Sequence, residues 1–433
     1  MCNIYCNREA MRTFCTKPHQ PLNSARFLRA GGWAALVFLS VFSFSPAARG
    51  QFQGDLEIRQ DFMEQENFLD IRSYSPQARE RLASLEAPVA FRTSVGSLSM
   101  ERFYVDHYLR LSLDLHDNAF FLYRQERLAI FRPEEIYQEA EFRYGRAWGV
   151  SITGYPSHDK RMVAQGAALS RGRHTDPSFL RLSHLKMFAL FNDENNGPEH
   201  FERNPHLYRM EGRYFEKGEL LLEIDARRET PTLLVSTDTG LRQYYSGGRF
   251  NLSADILAGD TVRAGVSLTG WSERREQRPA LPSLDDPWLQ QEMEFSHLEL
   301  RSGFAPRSGH HVEAGVARGQ FTNQITSRQP ALGQAVYEHS LLTWLAYGIW
   351  EAPWQERLSI ESMLVAGRVR RVDISPSSPK KIPRENTFEA KAALGPVYRQ
   401  PGRWHMAFIS TWDLDTSSGR KWDGGNARIQ IAY

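Results

Sequence analysis

Five histidines, His297, His310, His311, His339 and His405, lie in the C-terminal half of the chain with Ser and Asp residues nearby, Ser410 and Asp413 among them. A serine activated by a histidine that a carboxylate orients would hydrolyse an ester or amide, so these residue types could carry acyl transfer. The local signatures of such chemistry are missing. There is no Gly-x-Ser-x-Gly elbow, no His-Glu-x-x-His zinc motif and no Gly-rich phosphate loop. Scattered histidines on strands are more often lumenal or interfacial side chains, so the expectation is no enzyme, no catalytic residue, no metal and no cofactor.

Arginine offers a different chemistry. Of 53 basic residues only eight are Lys. The Arg fork binds carboxylates, phosphates and acidic sugars through two parallel hydrogen bonds. In the best-phased stretches the polar positions hold Arg249, Asn251, Asp255, Arg263, Glu313, Glu361, Glu389, Lys391, Arg428 and Gln430. If those stretches are strands around a pore, the ten residues are pore-lining candidates. Rows of Arg opposed by carboxylates would set up a transverse field favouring polar or anionic solutes. The alternative is a lumen whose charges neutralise one another because they cannot face lipid. Near-equal acid and base counts argue against strong anion selectivity.

The elements that would position these residues are written as alternation. Phe250, Leu252, Ala254 and Ile256 are separated by Asn251, Ser253 and Asp255, and Val262, Ala264, Val266 and Leu268 by Arg263, Gly265 and Ser267. That is a hairpin with one apolar and one polar face. Val312, Ala314 and Val316 repeat it, then Leu358, Ile360, Leu364 and Ala366, then Phe388, Ala390, Ala392 and Leu394. Only Pro76 to Leu85 suggests a short helix. Aromatics at 12% and hydrophobics at 41% are too rich for disorder, while a mean hydropathy of -0.50 is too polar for membrane helices. Strands that send every second side chain to lipid and fill a lumen with the others satisfy both.

Connections separate a membrane barrel from a soluble sandwich. Short turns are expected near Ala258 to Asp260, Ala305 to Gly309, Ala352 to Gln355 and Gln400 to Gly402. Long polar loops are expected at Ser272 to Gln290, Thr326 to Ala335, Ser375 to Glu385 and Asp415 to Gly425. Short periplasmic turns opposite long external loops are the habit of transmembrane barrels. Tyr244, Tyr245, Trp271, Trp288, Trp344, Trp350, Trp354, Trp404, Trp412 and Trp422 fall near expected strand ends, where they could form interfacial girdles. About seventeen strand candidates precede Tyr433, the earliest near Phe103 to Leu115 and the poorest between Ile136 and Ser170. Both ends on one side require an even number. Merging two weak candidates or adding Phe91 to Leu98 gives sixteen or eighteen, and sixteen is expected.

An address precedes the strands. Trp33 to Ser45 is a thirteen-residue apolar run behind Arg26 and Arg29, too short to span a bilayer and followed by small residues. This is the layout of a secretory signal peptide, with cleavage expected near Gly50/Gln51. All three cysteines, Cys2, Cys6 and Cys15, lie before it, so the exported chain is expected to lack thiols, which suits an oxidising periplasm. Removing residues 1–50 leaves 47 basic against 50 acidic residues, and no clustered basic face argues for nucleic acid.

At the C-terminus Asn426-Ala-Arg-Ile-Gln-Ile-Ala-Tyr433 resembles the terminal β-signal of Gram-negative outer-membrane β-barrel proteins. Ala427, Ile429, Ile431 and Tyr433 match its alternating apolar positions and closing aromatic. Arg428 replaces a Gly sometimes found there, and Tyr433 the commoner Phe. The resemblance implies insertion by the barrel-assembly machinery after escort by periplasmic chaperones, and residence among outer-membrane lipid. The expected architecture is all-β: a transmembrane antiparallel up-and-down barrel over residues 96–433, preceded by an extension and signal at 1–50 and a periplasmic segment or plug at 51–95. A porin-like channel for small polar solutes or sugars is the leading expectation. The alternatives are an exporter or assembly barrel for an envelope polysaccharide, and a barrel-borne enzyme.

Overall fold

A computed structural model describes residues 87–99, 102–129, 135–157, 163–189, 199–216, 220–237, 240–258, 262–279, 288–305, 309–329, 333–374, 385–400, 404–414 and 422–432. The expected signal peptide, the cysteines, the segment before residue 87 with its expected helix, and Tyr433 lie outside them.

The described chain is strand after strand. In order these are β1 (Val89–Ser99), β2 (Arg102–His116), β3 (Ala119–Ala129), β4 (Glu135–Tyr144), β5 (Trp148–Tyr155), β6 (Ala164–Arg171), β7 (Phe179–Lys186), β8 (Glu199–Arg203) and β9 (His206–Glu216). They continue as β10 (Leu220–Ser236), β11 (Leu241–Ala258), β12 (Val262–Pro279), β13 (Trp288–Phe304) and β14 (His311–Gln329). The last are β15 (Gly333–Gln355), β16 (Leu358–Ile374), β17 (Glu385–Gln400), β18 (Trp404–Asp413) and β19 (Trp422–Ala432). The alternating hairpin read from the sequence is β11–β12, in unbroken register from Leu241↔Pro279 to Ala258↔Val262.

The sheet closes on itself. β1 pairs antiparallel with β2 on one side and with β19 on the other, Ala90 opposite Ala432 and Phe91 opposite Ile431. Nineteen strands occupy eighteen places around the wall, because β8 and β9 run along the same neighbour: β9 pairs with Leu220–Glu229 of β10 and β8 with Leu233–Ser236. Asn204-Pro205 interrupts the first strand and a register shift containing Pro231 interrupts the second. Proline has no N–H to give a ladder, so both breaks fall where a bond is lost anyway. The expected all-β antiparallel barrel is therefore present, with the upper of the two expected strand numbers. Phe91 to Leu98, the optional candidate, lies in β1, which places residues 89–95 in the wall rather than in the preceding segment.

Three connections differ from expectation for one reason. Ala352 to Gln355 belongs to β15 and the turn is Glu356–Arg357, while the loops expected at Ser272 to Gln290 and Thr326 to Ala335 shrink to 280–287 and 330–332. Polar residues there continue the ladder beyond the apolar stretch. Strands of 16–23 residues in β10–β17 result, against 8–10 in β4–β7.

Candidate functional site: the lumen

Contacts across several strands reveal the inward face. Arg124 on β3 donates from Nη2 to Glu211 Oε2 on β9 at 2.6 Å. Five strand spacings separate them, about 24 Å along the wall, so two side chains could meet only if this wall curls tightly and both point inside. Around them sits an ion cluster. Arg124 Nε bonds Glu139 Oε2 at 2.9 Å, and Arg181 reaches Glu211 at 2.8 Å and Glu141 at 2.9 Å while also pairing with Glu139. Arg209 grips Asp225 with two bonds of 2.9 and 2.8 Å, and Arg227 shares that carboxylate at 3.0 Å.

Four guanidinium groups thus face four carboxylates. Tyr137 donates to Glu139 and lies under Arg209 and Arg227, 4.7 and 4.5 Å from its ring centroid. Arg124 and Glu139 are each 1% exposed. Charges buried this deeply are tolerable only when saturated with partners, and here hydroxyls complete the set: Thr153 bonds Glu139 at 2.5 Å and Ser151 bonds Glu141. Each carboxylate of the cluster is thus engaged by at least one arginine. His174, in the turn between β6 and β7, stands 3.5 Å from Arg124. Burial, reinforced by that cation, holds its imidazole well below the usual histidine range and therefore neutral.

None of these cluster residues is among the ten pore-lining candidates. The signal is Tyr137, Glu139, Glu141 and Arg143 at alternate positions, within the stretch from Ile136 to Ser170 whose alternation is poorest. Charged residues at inward positions weakened the apolar half of the pattern.

All ten candidates fall on the inward face, by register with this cluster or with one another. Their charges are paired locally. Asp255, 0% exposed, accepts from Arg263 at 3.2 Å and from Arg301 at 2.8 Å, and Arg263 lies 3.8 Å from Glu313. Arg428 approaches Glu361 at 3.5 Å, and Glu389 accepts from Thr387 and lies 3.7 Å from Arg371. Lys391 is buried beside Asp413 in the β17–β18 register, and Arg249, Asn251 and Gln430 occupy inward positions on β11 and β19. Of the two arrangements read from the sequence, these contacts have the mutually neutralising one rather than opposing rows of Arg and carboxylate.

His405 and Ser410 lie on opposite faces of β18. His405 points inward, whereas Ser410 points outward and accepts a 3.0 Å bond from the exposed Trp422 indole. His297 and His339 are inward and buried, His310 stacks on Trp350, and His311 lies 3.9 Å from Glu313. No group of three or more metal-ligating side chains occurs among the described residues.

The inner wall of β13–β18 differs in kind. Ala317, Leu345, Tyr347, Met363, Val365, Ala393, Val397, Ala407 and Ile409 form one buried apolar cluster, and Met293, Phe321, Leu341 and Val369 a second. Trp271 packs on the second, so this Trp lies inside and not in a girdle, and Tyr245, whose ring lies 5.9 Å from the inward Arg275, is inside too.

Outside, polarity reverses along each long strand. On β12 the outward Val262, Val266 and Leu268 give way to Ser272, Arg274 and Arg278; on β13 the outward Phe304, Leu300 and Leu298 give way to Ser296 and Glu294. The apolar part forms a belt that continues through Phe142, Val150, Ile152, Leu180, Leu252, Leu364, Leu394 and Phe408, all exposed. Trp350 and Trp354 border it at the end where β1 begins and β19 finishes, and Trp344, with Arg318 5.2 Å from its ring, borders it at the other. From Trp354 to Trp344 is about 33 Å along a strand, hence about 25 Å of depth at ordinary barrel tilt, the height of an outer-membrane apolar band. The chain is a closed β-barrel of transmembrane dimensions.

The C-terminal strand fits that conclusion, since Ala427, Ile429 and Ile431 face outward on β19 while pairing with β1. No protein-family model and no curated protein matches the barrel. Among solved structures it is similar to the translocator domain of the autotransporter NalP from Neisseria meningitidis, at 8% identity and a TM-score of 0.32 over 85% of this chain and 97% of that one. It is similar also to OccK10 (OpdN) of Pseudomonas aeruginosa, at 11% and 0.36 over 80% and 98%, and to CdiB from Acinetobacter baumannii, at 8% and 0.37 over 80% and 60%.

Proposed function

We propose that the barrel is a passive, porin-like channel for small polar solutes, sugars included. The observation that carries this reading is an uncharged strip on the inner face of β11 and β12, made of Asn251, Ser253, Ser267 and Thr269. Asn251 is exposed, and Thr269 donates to its Oδ1 at 3.2 Å. Around the wall the strip lies between the ion cluster of β3–β10 and the apolar wall of β13–β18. Amide and hydroxyl groups exchange hydrogen bonds with a passing solute without holding it as a fixed charge would. Local pairing of the lumenal charges favours neutral over ionic cargo. Trp271, two residues beyond Thr269 on the same face, adds an apolar surface beside these hydroxyls, an arrangement that suits a sugar. That feature would equally serve an exporter of an envelope polysaccharide, which is the second reading.

Purified barrel in planar bilayers tests the proposal. Discrete conductance steps are expected, and Asn251→Trp or Ser267→Trp should at least halve them while the folded band on unheated gels is retained. A folded wild-type barrel that conducts nothing would remove the channel reading and leave the exporter.

A further inference from the structure

We propose that a groove on the outward face of β6–β12 holds one anionic glycerophospholipid, with its phosphate at Arg171 and an acyl chain rising into the apolar belt. The inference rests on that belt lying in a bilayer and not on what crosses the lumen.

The groove is built from two rows of outward residues. Arg171, Leu180, Gly212, Ile224, Leu252 and Leu268 stand in continuous register on β6, β7, β9, β10, β11 and β12. Tyr214, Leu222, Ala254 and Val266 form the next row toward the end where β1 begins. Both rows line one concavity of about 830 Å³, the size of a ligand site. Its side chains are shielded to match: Leu252 is 39% and Leu268 36% exposed, against 74% for Ile152 on the tightly curled wall. Gly212 lowers the floor between Leu180 and Ile224, whose methyl carbons would stand 3.3 and 3.1 Å from a Cβ placed there.

Its slope is that of a lipid in one leaflet. Arg171 is the last residue of β6, at the short turn before β7, whereas Leu268 lies well inside β12. Five strand spacings between them span about 24 Å. With strands tilted by about 40°, a row at right angles to them climbs about 15 Å, half of an apolar core of about 30 Å. A second barrel packed here would instead cover the full height of the belt.

Charge selects the headgroup. Arg171 sits beside its register partner Trp148, which is outward and exposed, and an indole next to a cation is suited to headgroup depth. Arg213 and Glu223 also border the groove but pair with each other at 3.4 Å. No described residue forms an ion pair with Arg171. Its guanidinium can therefore give two parallel hydrogen bonds to a phosphate while the chain covers the apolar rows behind it.

Native mass spectrometry of the full barrel, purified with phosphatidylglycerol and then exchanged into lipid-free detergent, tests this. One retained phospholipid per barrel is expected. Arg171→Glu and Ala254→Trp, each shown to be folded by its band on unheated gels, should each cut the retained fraction at least fivefold. Arg318→Glu, an outward cation at the opposite border of the belt, should leave it unchanged. No retained lipid, retention that either groove variant leaves unaltered, or an equal loss in Arg318→Glu overturns the proposal. A barrel dimer that Ala254→Trp dissociates also overturns it and assigns the groove to a second copy. As a further readout, a benzophenone amino acid at Leu252 should crosslink the retained lipid at least threefold more than one at Ile152, and equal yields would sink the site. Neither measurement depends on conductance.

Discussion

The two halves of this barrel solve the problem of an inward face in opposite ways. The wall of β3–β10, short-stranded over β4–β7, turns Arg, Glu and Asp side chains inward and joins them until four cations and four anions cancel. The long-strand wall of β13–β18 turns Leu, Met, Val and Phe inward and buries them as a soluble protein would. The first pulls the wall into a tight curl, because paired charges must touch. The second keeps a smooth wall whose outward polarity changes with height, apolar through the belt and charged beyond it. Inward polarity in a membrane barrel is thus a local choice of each wall rather than a property of the fold.

Removing one partner from the ionic wall should have the largest effect. Glu139→Ala leaves Arg124 and Arg181 short of a carboxylate in a site where Glu139 is 1% exposed. A loss of about 3–5 kcal/mol is expected, read from the denaturant midpoint in detergent micelles; a change below about 1 kcal/mol would mean water reaches the cluster. The apolar wall should lose less: Leu345→Ala, at a 4% exposed position, is expected to cost about 2–4 kcal/mol in the same assay. If it costs nothing, that wall faces solvent and the contrast fails.

Acid should separate the walls. Because His174 is held neutral when folded, the unfolded chain takes up a proton that the folded chain refuses once the pH drops through the ordinary histidine value of about 6.5. Stability is fully present above that pH and falls below it, down toward the depressed folded value. Unfolding midpoints at pH 7.5 and 5.5 should differ in the wild type, and His174→Gln should shrink the difference while Leu345→Ala leaves it intact. The smallest effect is expected at the exposed Arg146–Asp117 pair, 3.5 Å apart with both side chains more than 70% exposed. Arg146→Ala should leave the midpoint unchanged within error, since solvent screens such pairs.

Much of the architecture was legible because a strand has period two. Phe250 to Ile256 and Val262 to Leu268 declare which face meets lipid before any neighbour is known, and the ten polar positions between such residues all proved inward. Where alternation faded, legibility faded with it. Inward Leu122 and outward Tyr123 are both buried in β3, so their stretch reads as continuous rather than alternating. In β14 the inward face changes from Glu313 to Phe321 within one strand, so a face assigned low on the strand gives the wrong polarity above.

The sequence by itself determined an all-β membrane barrel, its lipid-facing positions and a closing C-terminal strand, because each follows from side-chain alternation along one strand. Tertiary structure alone decided which inward residues meet. Arg124 and Glu211 lie 87 residues apart and five strands away around the wall, and alternation specifies a face but neither height nor angle. Only closure and the curl of the sheet convert a row of inward charges into a neutral, saturated cluster, and a row of inward aliphatics into one side of a core.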